Sequence, residues 1–224
     1  MISLVNKIPQ INCPLAEVVK INCAYNLYKD IAMFWTQDEN RAVISMLDGN
    51  MVIYNVNADL DELREFIGII SPLSVFSDAI TLNALFGDNF HKVRVVKSES
   101  KFKSDTLSDN LCSDEIYKLL DVDGLDLPLY EFFAVDFCFR LNHGQLKYFA
   151  LKDSCAAVCI TDGQAVLLNG IASQKKGMGT VALSGVLSQC DAPYLAVCED
   201  EVLPFYLKNN FEHIYDAGYW RKNP

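Results

Sequence analysis

Apolar residues recur at two spacings along this chain, and the change from one to the other marks out its strands and helices. Arg41–Leu47 and Met51–Val56 are dense apolar runs flanking Asp48-Gly49-Asn50, which predicts a β-hairpin. The spacing then lengthens to that of a helix over Leu60–Ile70. Asp59 stands where an N-cap belongs, and Asp61 and Glu62 lie where the helix dipole favours acids. Ser74–Ser77 predicts a short strand, Asp78–Phe86 a second helix and His91–Lys97 a further strand. Upstream, Pro14–Tyr28 predicts a helix with Pro14 in its first turn.

The pattern lapses over Lys97–Asp114, KSESKFKSDTLSDNLCSD, whose serines and mixed charges read as a connection. A short helix is expected near Asp114–Leu120. Four strand-like runs follow: Tyr130–Leu141, Gln145–Leu151, Ser154–Thr161 and Ala165–Ala172. Turns at Asn142-His143-Gly144, Lys152-Asp153 and Asp162-Gly163 make an antiparallel meander the economical arrangement. Gly177–Gln189 then reads as a helix with Val181, Leu183, Val186 and Leu187 at helical spacing. Tyr194–Cys198 reads as a buried strand, Val202–Asn209 as a short helix and Glu212–Trp220 as the last strand. Both stretches therefore contain the run strand, strand, helix, strand, helix, strand. That order suggests a structural duplication, with a first half over 1–100, a connection and short helix over 101–124, and a second half over 125–224.

Composition narrows the classes. Hydrophobic residues make up 51% of 224, enough for a substantial core. A net charge of −10 argues against nucleic acid as a partner. No apolar run approaches the roughly 20 residues of a membrane span, and MISLVNKIPQINCP lacks the build of a signal peptide. A soluble cytoplasmic protein without membrane association is the expectation. The eight cysteines include no CxxC pair and are scattered among apolar neighbours, as buried free thiols are. Cys155 and Cys159 share one strand face but stand about 13 Å apart, so no metal site is expected.

The candidate chemistry begins at Gln164–Thr180, QAVLLNGIASQKKGMGT. An apolar strand passes through a turn with Gly177 and Gly179 into a helix. Such a turn presents free backbone N–H groups at the positive end of a helix dipole, a ready cradle for phosphate. It is neither a Walker loop nor a dinucleotide fingerprint, and by itself it also fits a plain tight turn. Downstream, Phe205-Tyr206-Leu207-Lys208-Asn209-Asn210-Phe211 reads as a short helix with Asn210 at its left-handed exit. Tyr206 there is either a packed aromatic or a working phenol.

Together, Gln174-Lys175-Lys176-Gly177-Met178-Gly179 and Phe205–Phe211 resemble the GNAT superfamily of acyl-CoA-dependent N-acetyltransferases. That family carries a Q/R-x-x-G-x-G/A turn between its fourth strand and third helix, then a helix reading roughly FYxKxGF. The resemblance is good over about Gln145–Trp220 and only topological over residues 41–97. Asn210 stands in place of the family's glycine, Glu199 in place of a common asparagine, and Ala172-Ser173 is a short approach to the turn.

The resemblance implies an α+β (mixed α/β) fold, a mostly antiparallel central sheet flanked by helices, here as tandem halves. It implies acetyl-CoA as cosubstrate and no metal. Backbone groups of Ile171 and Ser173, with Ala172 between them, would face pantetheine. Gln174 and Lys175 open the turn, and the N–H groups of Lys176, Gly177, Met178, Gly179 and Thr180 would hold the pyrophosphate. Tyr206 matches the tyrosine that protonates the departing CoA thiolate. A phenol of pKa about 10 can donate to a thiolate of pKa about 8.5 only with help, so its placement matters. The acceptor is expected to be an amine on a small molecule or a peptide. Asp136 and Arg140, on one strand face by period two, and His143 beside them are pocket candidates. They also fit an ion pair and a turn histidine. Glu199 and Glu201 are further candidates for the base, whereas His91 and His213 read as strand-end surface or satisfied residues. A non-catalytic acyl-CoA-binding module is the alternative.

Overall fold

The structure, a computed structural model, describes residues 1–6, 32–123, 125, 127–191 and 193–222. The helix expected over Pro14–Tyr28 lies outside the described residues. The chain divides into two compact units that are not consecutive along it. Unit 1 comprises Met1–Val96, Val197–Leu207 and Glu212–Pro224, and unit 2 comprises Lys97–Ala196 and Lys208–Phe211.

Unit 1 holds strands β1 (Ile2–Leu4), β2 (Met33–Gln37), β3 (Ala42–Leu47), β4 (Asn50–Asn55), β5 (Ser74–Asp78), β6 (His91–Ser98, whose last two residues fall in unit 2) and β11 (Glu212–Arg221). Their order is β1-β2-β3-β4-β5-β11-β6. The β3–β4 hairpin closes through Asp48 and Gly49, with φ of 49° and 77°, and pairs Leu47 with Asn50. Left-handed conformation at both loop residues gives the hairpin the twist of its strands. Strand β4 runs parallel to β5, and β5 runs antiparallel to β11.

Alternation decides which side chains go where. Trp35, Ile44, Met51, Ile53 and Val75 gather on one face with Leu63, Ile67, Leu82 and Leu85. Phe34, Val43, Val52 and Phe76 gather on the other with Val93, Val95 and Ala217. The first face is covered by α1 (Leu60–Ile70) and α2 (Ala79–Phe86). Asp59 caps α1 as expected, accepting from the Asp61 and Glu62 N–H groups at 3.1 and 3.2 Å. Asp78 caps α2 through the Thr81 N–H at 2.8 Å.

Unit 2 holds β7 (Leu146–Leu151), β8 (Cys155–Thr161), β9 (Val166–Ser173) and the start of β10 (Tyr194–Cys198), in the order β10-β9-β8-β7. Its helices are α3 (Ser113–Leu120), α4 (Tyr130–Asn142) and α5 (Met178–Leu187). A sixth helix, α6 (Leu203–Lys208), lies mostly in unit 1. Strand β8 contacts both α3 and α5 and is buried from Cys155 to Ile160, which explains its unbroken apolar run. Helix α5 approaches β7 closely because Gly185 has no side chain. A Cβ there would stand 2.2 Å from the Phe149 ring.

One predicted strand is a helix. Tyr130–Leu141 does not open an antiparallel meander; Tyr130–Asn142 forms α4. Its aromatic and β-branched residues favour a strand locally. Packing against α3 and β7, with the Asp136–Arg140 pair one helical turn apart, overrides that preference. Strands β1 and β2 were not expected. The serine-rich connection is ordered: Asp109 N–H donates to the Ala150 carbonyl at 2.8 Å, and Ser108 Oγ accepts from the Ala150 N–H at 3.0 Å. It thereby covers the outer edge of β7.

The two units share a motif. In each, three antiparallel strands (β2–β4 and β7–β9) are followed by a helix and then by a strand parallel to the third.

Candidate functional site

The glycine turn grows out of β9. Pairing with β8 runs through Ala172↔Ala156 to Ser173↔Cys155, and the Gln174 N–H donates to the Ser154 carbonyl at 2.7 Å. Strand alternation then fixes the rest: Gln174, Ala172 and Gly170 bond toward β8, while the N–H and C=O groups of Ile171 and Ser173 point to the opposite edge. On that edge β10 pairs with β9 only over Val166–Leu168. Beyond Leu168 no strand pairs with it among the described residues.

At its end β9 enters Gln174–Gly177 and then α5. Gly177 is the N-cap, at φ 86° and ψ −16°, and makes no side-chain cap hydrogen bond. No acid occupies the first turn. The Met178 N–H donates to the Lys175 carbonyl at 3.1 Å. Gly179 and Thr180 follow in the first turn, where helix amides have no partner within the helix. Lys175 Nζ donates to Ser154 Oγ at 3.0 Å, and Lys176 is exposed. The result is a lip of backbone donors beside one anchored and one solvated ammonium, suited to an anion.

The remaining unit 2 candidates lie on α4. Arg140 Nε donates to both carboxylate oxygens of Asp136, at 3.0 and 2.9 Å. Arg140 is buried and Asp136 is partly exposed, one helical turn away rather than on one face of a strand. His143 follows the helix, and its Nδ1 lies 2.7 Å from the Phe139 carbonyl. The structure thus pairs Asp136 with Arg140 and places His143 at the helix exit.

Tyr206 and Glu199 belong to unit 1. Tyr206, on α6, is only 4% exposed, and burial pushes its phenol well above the ordinary value. The same effect raises the nearby Cys198 thiol to about 11. Glu199 Oε1 lies 2.7 Å from His91 Nε2. Next to it, Arg94 binds both Asp200 and Asp216, and His213 Nε2 lies 3.0 Å from Asp216 Oδ1. Glu201 is exposed. Sequence reading missed this network, since only folding brings residues 91–94 to 199–216. His91 and His213, expected as strand-end surface or satisfied residues, are both paired to carboxylates.

No family model matches the chain, and no curated protein matches it. Solved structures do. An acetyltransferase of the GNAT family from Colwellia psychrerythraea aligns over 99% of this chain and 100% of its own, at 12% identity and a TM-score of 0.50. The fold is that of the GNAT acetyltransferases.

Two further structures share it. One is a Pyrococcus horikoshii protein provisionally assigned as an acetyltransferase, matched over 93% of this chain and 78% of its own, at 8% identity and a TM-score of 0.56. The other is a conserved Staphylococcus epidermidis protein of unknown function, over 82% and 91%, at 10% identity and 0.53. The mixed α/β elements of this chain thus make a GNAT fold. Among its described residues no helix is long and apolar enough to cross a membrane.

Proposed function

We propose that this protein is an N-acetyltransferase that moves an acetyl group from acetyl-CoA to a primary amine of a small molecule or peptide. One observation supports it most. The edge of β9 loses its partner after Leu168 and leads directly into an uncapped helix start at Gly177. An extended, amide-rich chain ending in a pyrophosphate needs that sequence of surfaces: a strand edge for its amides, then a cluster of N–H donors for its charge.

In this reading the backbones of Ile171 and Ser173 bond pantetheine, and the turn from Lys176 through Thr180 holds the pyrophosphate. The Met178 N–H is already engaged, so the free amides of Gly179 and Thr180 carry most of that contact. Lys176 adds charge. The neutral amine attacks the thioester carbonyl carbon, and the tetrahedral intermediate collapses with cleavage of the C–S bond. Tyr206 gives its proton to the leaving thiolate. Burial makes that phenol a weaker acid, so the transfer depends on a thiolate equally deprived of water. For the amine proton we favour Glu199, partnered by His91, over Asp136, which is already held by Arg140.

The test is a thermal-shift titration. Acetyl-CoA and CoA at millimolar concentration should raise Tm, because a ligand of the native state stabilises it. An unmoved Tm would dismiss the reading. Thiol release from acetyl-CoA across an amine panel then reports turnover, and Tyr206→Phe should slow it at least tenfold with the Tm shift intact. The depth of Tyr206 favours one second reading, a module that binds acyl-CoA without turning it over. Ligand stabilisation with no thiol release on any amine would select that reading.

A further inference from the structure

The Sγ atoms of Cys159 and Cys190 lie 3.8 Å apart in unit 2. Nothing in the acetyltransferase reading uses them. Cys159 is fully buried in β8, and Cys190 is partly exposed just beyond the end of α5. The Cys190 backbone is pinned at both ends: its N–H donates to the Leu187 carbonyl at 3.1 Å, and its carbonyl accepts from Tyr194 OH at 2.9 Å. The loop backbone is therefore held beside Cys159. Lys147 stands directly opposite Cys159 on β7 and brings a positive charge to the pair.

We propose that Cys159 and Cys190 are a peroxide-reactive pair, with Cys190 oxidised first and Cys159 closing the disulfide. The division of labour follows from position. Cys190 is the thiol that solvent can reach. The hydrogen bond from Cys159 and the Lys147 charge both hold it toward the thiolate, while that same hydrogen bond to Cys190, and then burial, keep Cys159 protonated. A reachable thiolate beside a buried second thiol is the arrangement that converts a first oxidation into a disulfide.

The chemistry balances with a hydroperoxide as oxidant. The Cys190 thiolate attacks one peroxide oxygen, the O–O bond breaks, and the departing hydroxide takes up a proton to become water. Cys159 sulfur then attacks the Cys190 sulfenic sulfur. The S–O bond breaks, the Cys159 proton leaves with that hydroxide as a second water, and the S–S bond forms. Two thiols lose two electrons and one hydrogen peroxide becomes two waters. Closing the bond needs the sulfurs to approach by less than 2 Å from 3.8 Å. Cys155 cannot compete, since it sits four residues along the same strand, about 13 Å away. Cys112 and Cys138 are exposed, on the N-cap of α3 and on α4.

The consequence is mechanical. The bond would tie the exit of α5 to β8, and α5 begins at the Gly177 turn. It would also close a loop between residues 31 apart, which restricts the unfolded chain.

The reduced full-length chain, treated with one equivalent of hydrogen peroxide and then alkylated, should give a Cys159–Cys190 linked peptide by mass spectrometry. Tm should rise by several degrees and return on adding dithiothreitol. In Cys159→Ser the sulfenate should persist at Cys190 and be trapped by a 1,3-dione, whereas Cys190→Ser should leave Cys159 unmodified. Lys147→Met should slow the first step. Oxidation that reaches Cys112 or Cys138 first, with the 159–190 pair still reduced, overturns the proposal. So does a linked peptide that pairs either cysteine elsewhere. Neither result depends on acetyl-CoA binding.

Discussion

Gly185 sets how near α5 comes to its sheet. Alanine would favour the helix by roughly 1 kcal/mol. Its Cβ would nevertheless meet the Phe149 ring at 2.2 Å, and that ring is itself fully enclosed. Gly185→Ala should therefore destabilise the protein by about 1–3 kcal/mol in urea unfolding, because overpacking outweighs propensity. Gly177 poses the opposite case. Its Cβ would meet nothing within 4 Å, so alanine there is opposed only by the backbone at φ 86°. Gly177→Ala should cost about 1 kcal/mol and weaken the CoA-induced Tm shift.

Charge is also decided residue by residue. Arg94, bound to both carboxylates, holds the Asp200 and Asp216 carboxyls below their ordinary 3.8. A depressed folded value adds stability that is complete above the unfolded value and lost as pH falls toward the folded one. The loss should therefore appear below about pH 4. Arg94→Met should flatten that acid limb of the urea midpoint while changing the neutral value less. An unchanged acid limb would mean that these carboxylates owe nothing to Arg94.

At the scale of elements, α4 carries the clearest test of tertiary override. Val135 is 62% exposed and lies within Tyr130–Asn142. Val135→Pro should cost about 3 kcal/mol or more, because the helix loses a hydrogen bond and the ring clashes with the preceding turn. A strand edge would absorb the same change with a much smaller loss. The caps behave more simply. Asp78 Oδ1 accepts from the Thr81 N–H and Oδ2 from the Thr81 hydroxyl at 2.7 Å, so Asp78→Ala should cost about 1 kcal/mol. Most of these elements were legible because their cues are local: a capping aspartate, an Asp-Gly turn, a run of alternating apolar residues. Strand β2 was not, since its five residues, ending at a polar turn, carry little periodicity.

For the whole molecule, the last strand matters most. Within unit 1, β11 lies between β5 and β6, and its Ala217 and Gly218 are enclosed there. Gly218 permits this, since a Cβ would stand 2.4 Å from the Phe90 ring. Unit 1 thus cannot complete its sheet until residues 212–221 have been made. A chain ending at Phe211 should be insoluble or lack cooperative unfolding, and the full chain should refold slowly because that contact spans most of its length. Cooperative melting of the truncated chain would contradict this.

The sequence by itself determined the glycine turn, its flanking strand and helix, the β3–β4 hairpin and the aspartate cap that starts α1. Each rests on neighbouring residues, where φ/ψ preference and side-chain reach act within a few positions. Only the tertiary structure decided that 130–142 is a helix, that β9 loses a partner at Leu168, that Glu199 meets His91, and that Cys190 faces Cys159. Those outcomes depend on which distant segments share a surface. Burial and charge act through space there, and a one-dimensional pattern does not carry that information.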